Sequence, residues 1–510
     1  MRVLFLSFFS ILLSLTTQAQ DITDGLRYSQ NDLLGSARFT AMSGAFSSLG
    51  GDMSAIGLNP AGATTYSTNQ YSGTLSFYNQ QNNSDYFGNL QNKSYASIND
   101  NFLSFDQIGG IWVFKSNTND WNKFAVAFNY NKEATYGNSL HIQGVNPLGS
   151  STLDYFLSNA NGMAKDDLDL HTGENIDNVY SYLGENMGYS AQQAFLAYQA
   201  YAINPVDDTD PNNTQYTGAG TYSQVAHNAK INNTGHKSRM DFSVAATYEH
   251  QLQLGFSLTT YNIDYTQNNR LIEDHYAPIS DLQLLQFNNT LSVEGSGLGI
   301  KLGLIYKPTN NIRFGIALHS PEWLEINEST KQSIHTEFGN GDVVDIAPNI
   351  NNSFAPYKVV TPTKIIAGGS LVIQKKGLIS VDYTYQNYAG LHFKEKDTNA
   401  DSTYFDNLND QINNQMQGVH NLRVGGELKL DKLSLRAGTF MKNSPYKNQE
   451  DLNASNGFTA GFGYKFGKII MDASYINAHS ITKQFLSALP DPATINIDTN
   501  KFTLGLRYNF

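Results

Sequence analysis

Along most of this chain, short turn-forming connections alternate with long ones, and that sorting constrains the fold more than any single motif does. The short connections are 116–120 (SNTND), 249–251 (EHQ), 307–311 (KPTNN), 374–377 (QKKG), 430–432 (LDK) and 466–468 (FGK). The long ones are 80–102, 132–239, 267–289, 328–361, 389–418, 443–456 and 479–500. Between them lie fourteen segments in which apolar side chains recur at every second position, the period of a strand with one apolar face. Leu298, Ile300, Leu302, Leu304 and Tyr306 form one such row; Phe458, Ala460, Phe462, Tyr464 and Phe466 form another. Gly, Pro, Asn and Asp supply the geometry of the short turns. With antiparallel strands, every short turn falls at one end and every long loop at the other. Soluble β-sandwiches do not sort their loops this way, whereas bacterial outer-membrane barrels do.

The last segment, KFTLGLRYNF, fits a closed wall. Phe502, Leu504, Leu506, Tyr508 and Phe510 alternate with Lys501, Thr503, Gly505, Arg507 and Asn509. In a barrel the last strand pairs with the first and leaves no edge facing lipid. A terminal Phe after such a strand also resembles the signal read by barrel assembly machinery, an expected partner. Composition agrees: charged residues are only 15% of the 510, aromatics are 12%, and Gly numbers 42. Few charges, many rings and much glycine suit strands that meet lipid and wet loops. A formal net charge of -12 argues against a nucleic-acid partner, and the absence of Cys excludes disulfides and thiolate metal sites.

MRVLFLSFFSILLSLTTQAQ has a short basic start at Arg2, an apolar run and a small-residue cleavage pattern. It predicts a signal peptide over 1–19 and an exported chain located in the bacterial outer membrane. The fold expected is all-β: a 14-stranded antiparallel transmembrane β-barrel over 70–510, with a large external loop at about 132–239. A barrel of this size is too wide for its own side chains to fill. Its inward positions carry Gly299, Gly303, Gly315, Gly425, Gly438, Gly461, Gly463 and Gly505, and the cations Lys301, Arg313, Arg423, Arg436 and Arg507. These cations either line a hydrated wall or clamp a plug. Residues 20–69, rich in Gly, Ala and Ser with short helical patterns, predict a small N-terminal helical plug (hatch) in the lumen. Glu427 of the wall, or hatch carboxylates at Asp21, Asp24, Asp32 and Asp52, could meet the wall cations.

Within that segment, GSARFTAMSGAFSSLGGDMSAIGLNPAG resembles the N-terminal hatch of the FadL-like family of outer-membrane transporters. That family carries long-chain fatty acids and, in its TodX-type members, hydrocarbons. Asn59, Pro60 and Ala61 match its Asn-Pro-Ala hatch motif. GSGLGIKLGLIYKPTNNIRFGIALHSP (295–321), TPTKIIAGGSLV, GLISVDYTYQNY and the terminal strand resemble its barrel. The enlarged 132–239 loop departs from the pattern. The resemblance implies capture of hydrophobic molecules at external loops, passage past the hatch and lateral release into the membrane. In the family that opening lies by a kink in the third strand, near the Asn-Pro-Ala region; here the third strand falls at about 124–131.

Such a ligand needs an apolar surface with one or two polar groups for its head. Tyr180, Tyr182, Phe195, Leu196 and Tyr198, on expected helices of the long loop, either contact ligand or pack on the barrel rim. If the ligand is a carboxylate, Lys301, Arg313, Arg423, Arg436 or Arg507 could hold its head. No catalytic set, metal pattern or cofactor motif is expected: 206–215 and 338–345 hold clustered carboxylates but match no EF-hand, and Gly-x-Ser-x-Gly is absent. Two alternatives remain open: a general diffusion porin, which needs an unplugged lumen, and an adhesive or structural surface barrel. The expected partners are fatty acids or hydrocarbons, with haem not excluded, and outer-membrane lipids and lipopolysaccharide.

Overall fold

A computed structural model describes residues 21–87, 95–116, 120–373, 376–396 and 403–510. The signal-like segment 1–19 lies outside the described residues, as do 117–119 and 374–375 within two of the short turns. The chain forms one closed 14-stranded antiparallel barrel preceded by a helical segment. Strands one to six are Gln70–Asp85, Tyr95–Lys115, Trp121–Thr135, Val225–Tyr248, Leu252–Asp274 and Leu282–Tyr306. Strand seven is Ile312–His319 continued by Trp323–Phe338; strand eight is Tyr357–Val360 continued by Lys364–Ile373; strand nine is Gly377–Asn387 continued by His392–Glu395. Strands ten to fourteen are Gly418–Leu430, Leu433–Lys442, Ser455–Phe466, Ile469–Phe485 and Pro492–Asn509. Strand fourteen closes on strand one from Gln70 opposite Asn509 to Asp85 opposite Thr494. The terminal alternation is thereby explained: Phe502, Leu504, Leu506 and Tyr508 are exposed on the outer face, while Lys501, Thr503 and Arg507 are buried inside.

Strands extend outward well past the alternating segments. Strand four begins at Val225 rather than near 240, strand five reaches Asp274, and strand six begins at Leu282. In these outer stretches the outward row turns polar (Asn228, Lys230, Asn232 and Thr234 in strand four), while the inward row keeps apolar residues such as Ile231 and Phe287. Beyond the bilayer a strand needs only its ladder hydrogen bonds, so the period-two signal fades. The expected 132–239 loop shrinks accordingly. Strand three is prolonged by Asn138–Asn146, paired to strand four, and only 147–224 leaves the barrel. This insert folds as a cap of four helices, α4 (Thr152–Ala160), α5 (Lys165–Leu168), α6 (Ile176–Asn186) and α7 (Tyr189–Gln199). Its apolar core packs on Leu282, Leu285 and Phe287 of strand six and Ile334 of strand seven.

The cap is fastened by Glu273 at the outer end of strand five. Its buried carboxylate accepts hydrogen bonds from the Thr152 backbone N–H (2.8 Å), the Thr152 hydroxyl (3.0 Å), the Tyr276 hydroxyl (2.6 Å) and the Ser151 hydroxyl, and contacts His227 Nε2 (2.8 Å). A carboxylate at a helix N-terminus satisfies otherwise orphaned donors and opposes the helix dipole.

Candidate functional site: the hatch, its wall and the chamber between them

The hatch comprises α1 (Ile22–Ser29), α2 (Ala37–Ala41), α3 (Met53–Ile56) and a 3₁₀ turn, Pro60–Thr65. It folds on itself first. Ser36 caps α2, and its hydroxyl donates to Asp52 at 2.7 and 2.8 Å; Asp52 in turn caps α3 through the Ser54 N–H at 3.0 Å. Asp52 is thus consumed within the hatch and meets no wall cation among the described residues. Tight turns at Gly50 and Gly51, both at positive φ (59° and 66°), let the hatch backbone lie directly on Gly62.

The inward glycines are where this compact body touches the wall. A Cβ at Gly461 would lie 2.6 Å from the Ala41 Cβ, and one at Gly425 2.8 Å from the Met42 Cβ. Cβ atoms at Gly315 and Gly368 would collide with Ser47, and at Gly255 and Gly303 with Asn59–Ala61. Glycine at these sites lets backbone meet backbone, so the lumen is filled by the hatch instead of by wall side chains. Asn59 uses that closeness: its Nδ2 donates to the Ser47 carbonyl (2.7 Å) and to the wall carbonyls of Leu304 (3.1 Å) and Ile316 (3.4 Å), while its Oδ1 accepts from the Ala61 N–H (3.1 Å). Asn59, Pro60 and Ala61 therefore dock on strands five to seven. The hatch element that meets strand three at its outer half is α3, through Asn129 Nδ2 to the Met53 carbonyl (3.0 Å) and the Ser54 hydroxyl to Asn131 Oδ1 (3.0 Å).

The five cations named from sequence divide into three groups. Arg313 reaches the hatch, donating to the Leu49 carbonyl at 3.0 Å. Arg436 and Arg507 belong to a buried wall network around Asp472 (2.7 Å to each), and Arg436 continues to Glu427 at 2.7 Å. Lys301 pairs within the wall with Asp241 at 2.7 Å. Arg423 is tied to no carboxylate within 4 Å among the described residues and lines the chamber described below. The docking also runs in the opposite sense. The hatch contributes the cation, Arg38, whose Nε and Nη2 reach Glu427 at 2.9 and 3.3 Å. The wall contributes a second carboxylate, Asp382, which accepts from the Ser47 N–H and hydroxyl, both at 2.7 Å. No sequence pattern links Arg38 to a residue 389 positions away.

Above the hatch lies a cavity of about 100 Å³. The hatch coil forms one side with Asn31, Asp32 and Leu34; Arg423, Lys442 and Lys364 project from strands ten, eleven and eight. Among the described residues none of these three has a carboxylate within 4 Å. Outward of the cavity, α1 sits in an apolar compartment. Leu26 and Tyr28 pack with Tyr261, Ile263, Leu324, Tyr357 and Phe393 of the wall, roofed by Phe405, Leu408 and Ile412 of α8 (Thr403–Gln415). Within α1, burial and the neighbouring Asp21 push the Asp24 carboxyl up to about 7, against the opposing pull of Arg27 at 2.5 Å.

The wall itself is not uniformly laddered. Strand two pairs with strand one out to Tyr95, but with strand three only from Lys115 opposite Lys123 to Gln107 opposite Asn131. Outward of Gln107 the two strands are joined instead by side chains: Lys132 Nζ to the Ser104 hydroxyl (2.8 Å), and the Ser139 N–H to Asp100 (2.6 Å). This side-chain-bridged seam stands beside α3.

The cap aromatics proposed as ligand contacts are mostly core. Phe195 and Leu196 are fully buried, Tyr180 is buried with its hydroxyl on Gln332 at 3.1 Å, and Tyr198 is half-buried against Asp169 at 2.5 Å. Only Tyr182 is exposed. The helices turn their apolar faces onto strands six and seven, so no groove remains between cap and rim at these residues.

Comparison with protein-family models gives no match, and comparison with curated protein sequences gives none. Comparison of folds does. A FadL homologue from Pseudomonas aeruginosa superposes with a TM-score of 0.54 at 12% identity, covering 94% of this chain and 100% of that one. The toluene transporter TodX from P. putida gives 0.50 at 13% identity over 95% and 99%, and the toluene transporter TbuX from Ralstonia pickettii 0.50 at 12% over 94% and 99%. Over nearly its whole length, this chain has the hatch-and-barrel fold of the FadL-like channels.

Proposed function

We propose that this protein is an outer-membrane channel that carries hydrophobic molecules passively, and that its ligands are long-chain fatty acids. The observation that carries the reading is the hatch pressed onto the glycine track, beside a wall whose strands two and three part. A plugged lumen suits neither ions nor sugars, and a wall joined by side chains can open sideways for an apolar ligand. A diffusion porin would need the lumen that Ala37–Thr65 fills. The named structural neighbours point the same way: one is a FadL homologue, two are toluene transporters.

Fatty acid is preferred to neutral hydrocarbon because of the chamber. Among the described residues Arg423, Lys442 and Lys364 gather around one cavity with no carboxylate within 4 Å of them, and a ligand carboxylate would supply charge-assisted hydrogen bonds there. The cavity is smaller than the roughly 300–1,000 Å³ of typical ligand sites. It holds a head group; the acyl chain takes the apolar compartment that α1 now occupies. Binding to purified protein in nanodiscs tests this: dodecanoate should bind at least tenfold more tightly than dodecanol, and Arg423→Gln should remove the preference. Equal binding of acid and alcohol would shift the reading to neutral hydrocarbons.

A further inference from the structure

Strands seven, eight and nine break side by side. Strand seven is interrupted between His319 and Trp323, strand eight between Val360 and Lys364, and strand nine between Asn387 and His392. The ladder between seven and eight stops at His319 opposite Lys364 and resumes at Trp323 opposite Val360. Between eight and nine it stops at Lys364 opposite Gln386 and resumes at Val360 opposite His392. Strands five and six run unbroken alongside. Pro321 and Pro362 sit in the breaks and remove two ladder donors.

The break lies within the lipid-facing band. Leu318, Trp323 and Ile365 are exposed around it, as is Leu298 of strand six. Trp323 is the last apolar residue of its outward row, which continues as Glu325, Asn327 and Ser329. The break therefore sits at the outer edge of the hydrocarbon. On the inside, His319, Glu322, Lys364, Gln386 and Tyr388 line the chamber above the hatch. At this place only a broken layer of strand separates lipid from chamber.

Main chain outside a ladder is tolerated at membrane depth only where protein or a cavity covers it. Here side chains take over the ladder's bonds. The Glu322 N–H donates to the Thr361 hydroxyl (2.9 Å), the Ile300 N–H to the Ser320 hydroxyl (2.9 Å), and Gln386 Nε2 to the Pro362 carbonyl (3.1 Å). Two backbone bonds remain there, Thr361 N–H to the Glu322 carbonyl (3.1 Å) and Ser320 N–H to the Ile300 carbonyl (2.9 Å). Hydroxyl and amide bonds of this kind exchange for a passing ligand without unzipping a strand.

We propose that this three-strand break is a lateral entrance through which amphiphiles dissolved in the outer leaflet reach the chamber. The proposal rests on the transport reading above. It gives the ligand a way in that avoids the cap, whose core is closed, and the α1–α8 roof over the lumen. The chamber is also lined by Lys132 and Glu133 of strand three, so the entrance and the seam beside α3 open on one space.

The chain has no Cys, which makes a cross-link test clean. Trp323→Cys with Val360→Cys joins register partners at the break; Ile312→Cys with Leu371→Cys joins the same two strands away from it. Uptake of labelled oleate by cells carrying each pair is measured oxidised and reduced. Closing the break should slow uptake at least tenfold, reversibly with reductant, while the second pair changes it less than twofold. A photoreactive fatty acid in outer-membrane vesicles should label peptides containing 320–323 and 360–363. Uptake unaffected by the cross-link, or label confined to the cap helices, overturns the entrance while leaving transport intact. No oleate uptake by the cysteine-free protein overturns the transport reading, and the entrance with it.

Discussion

Glu427→Gln isolates the bond between hatch and wall. In the native protein the carboxylate serves Arg38 of the hatch at 2.9 and 3.3 Å and Arg436 of the wall at 2.7 Å, with the Glu427 side chain 1% exposed. Glutamine is nearly isosteric but neutral. Arg436 keeps Asp472 at 2.7 Å, so the wall retains most of its bonding. Arg38 keeps the Gly51 carbonyl at 3.0 Å and the Phe46 ring at 5.1 Å, but it is left as a buried cation without a counter-ion. Removing one partner of a buried pair costs about 3–5 kcal/mol; the remaining carbonyl and the 12% exposure of Arg38 place this case near the lower end. At about 3 kcal/mol the undocked population of the hatch rises roughly a hundredfold. Two readouts follow: frequent ion-conducting openings in a planar bilayer, and cleavage of residues 36–65 by added protease. The barrel itself should keep its heat-modifiable migration, because its ladders are untouched. A double-mutant cycle with Arg38→Gln should show strong coupling. Native conductance and native protease resistance in Glu427→Gln would refute the idea that this ion pair holds the hatch shut.

Three further perturbations probe the same architecture. Gly425→Val places side-chain atoms where Met42 now lies, and overpacking of about 1–3 kcal/mol should displace the hatch and raise conductance without unfolding the barrel. The Asp24 carboxyl, raised to about 7 from 3.8, binds its proton more tightly when α1 is docked; docking is therefore strongest below about pH 4 and weakens as pH rises through 7. A spin label at Thr23→Cys should gain mobility over that range, and Asp24→Asn should abolish the dependence. Glu273→Ala removes the acceptor shared by Ser151, Thr152 and Tyr276. Leaving those donors buried costs at least about 1–3 kcal/mol, which hydrogen exchange should report as faster exchange in α4 with the barrel strands unchanged.

The wall was legible wherever one face met lipid. The rows Leu298–Tyr306 and Phe502–Phe510 carry period two because hydrocarbon outside and hatch or water inside demand different side chains. The outer halves of strands four to six were not legible, because beyond the bilayer no lipid demands an apolar outward row. The inward glycines announced space at the wall, but not what fills it; that required the fold of 36–65. That the hatch also supplies a cation, Arg38 to Glu427, was not legible, because the pairing depends on packing across the whole chain. Phe195 and Leu196 gave a helical apolar face correctly, but a periodicity does not say whether a ligand or strands six and seven cover it. The break in strands seven to nine did leave a signal: Pro321 and Pro362 each fall within or beside an expected strand, where proline marks an interruption.

In the proposed transport, a closed hatch and a parting wall admit apolar ligands but not ions. The most direct measurement pairs uptake of labelled oleate, in cells with and without the protein, with planar-bilayer conductance of the same purified protein. Saturable, protein-dependent uptake is expected together with a conductance far below that of an open pore. Large, steady ion conductance with no protein-dependent oleate uptake would contradict it and identify an open diffusion pore.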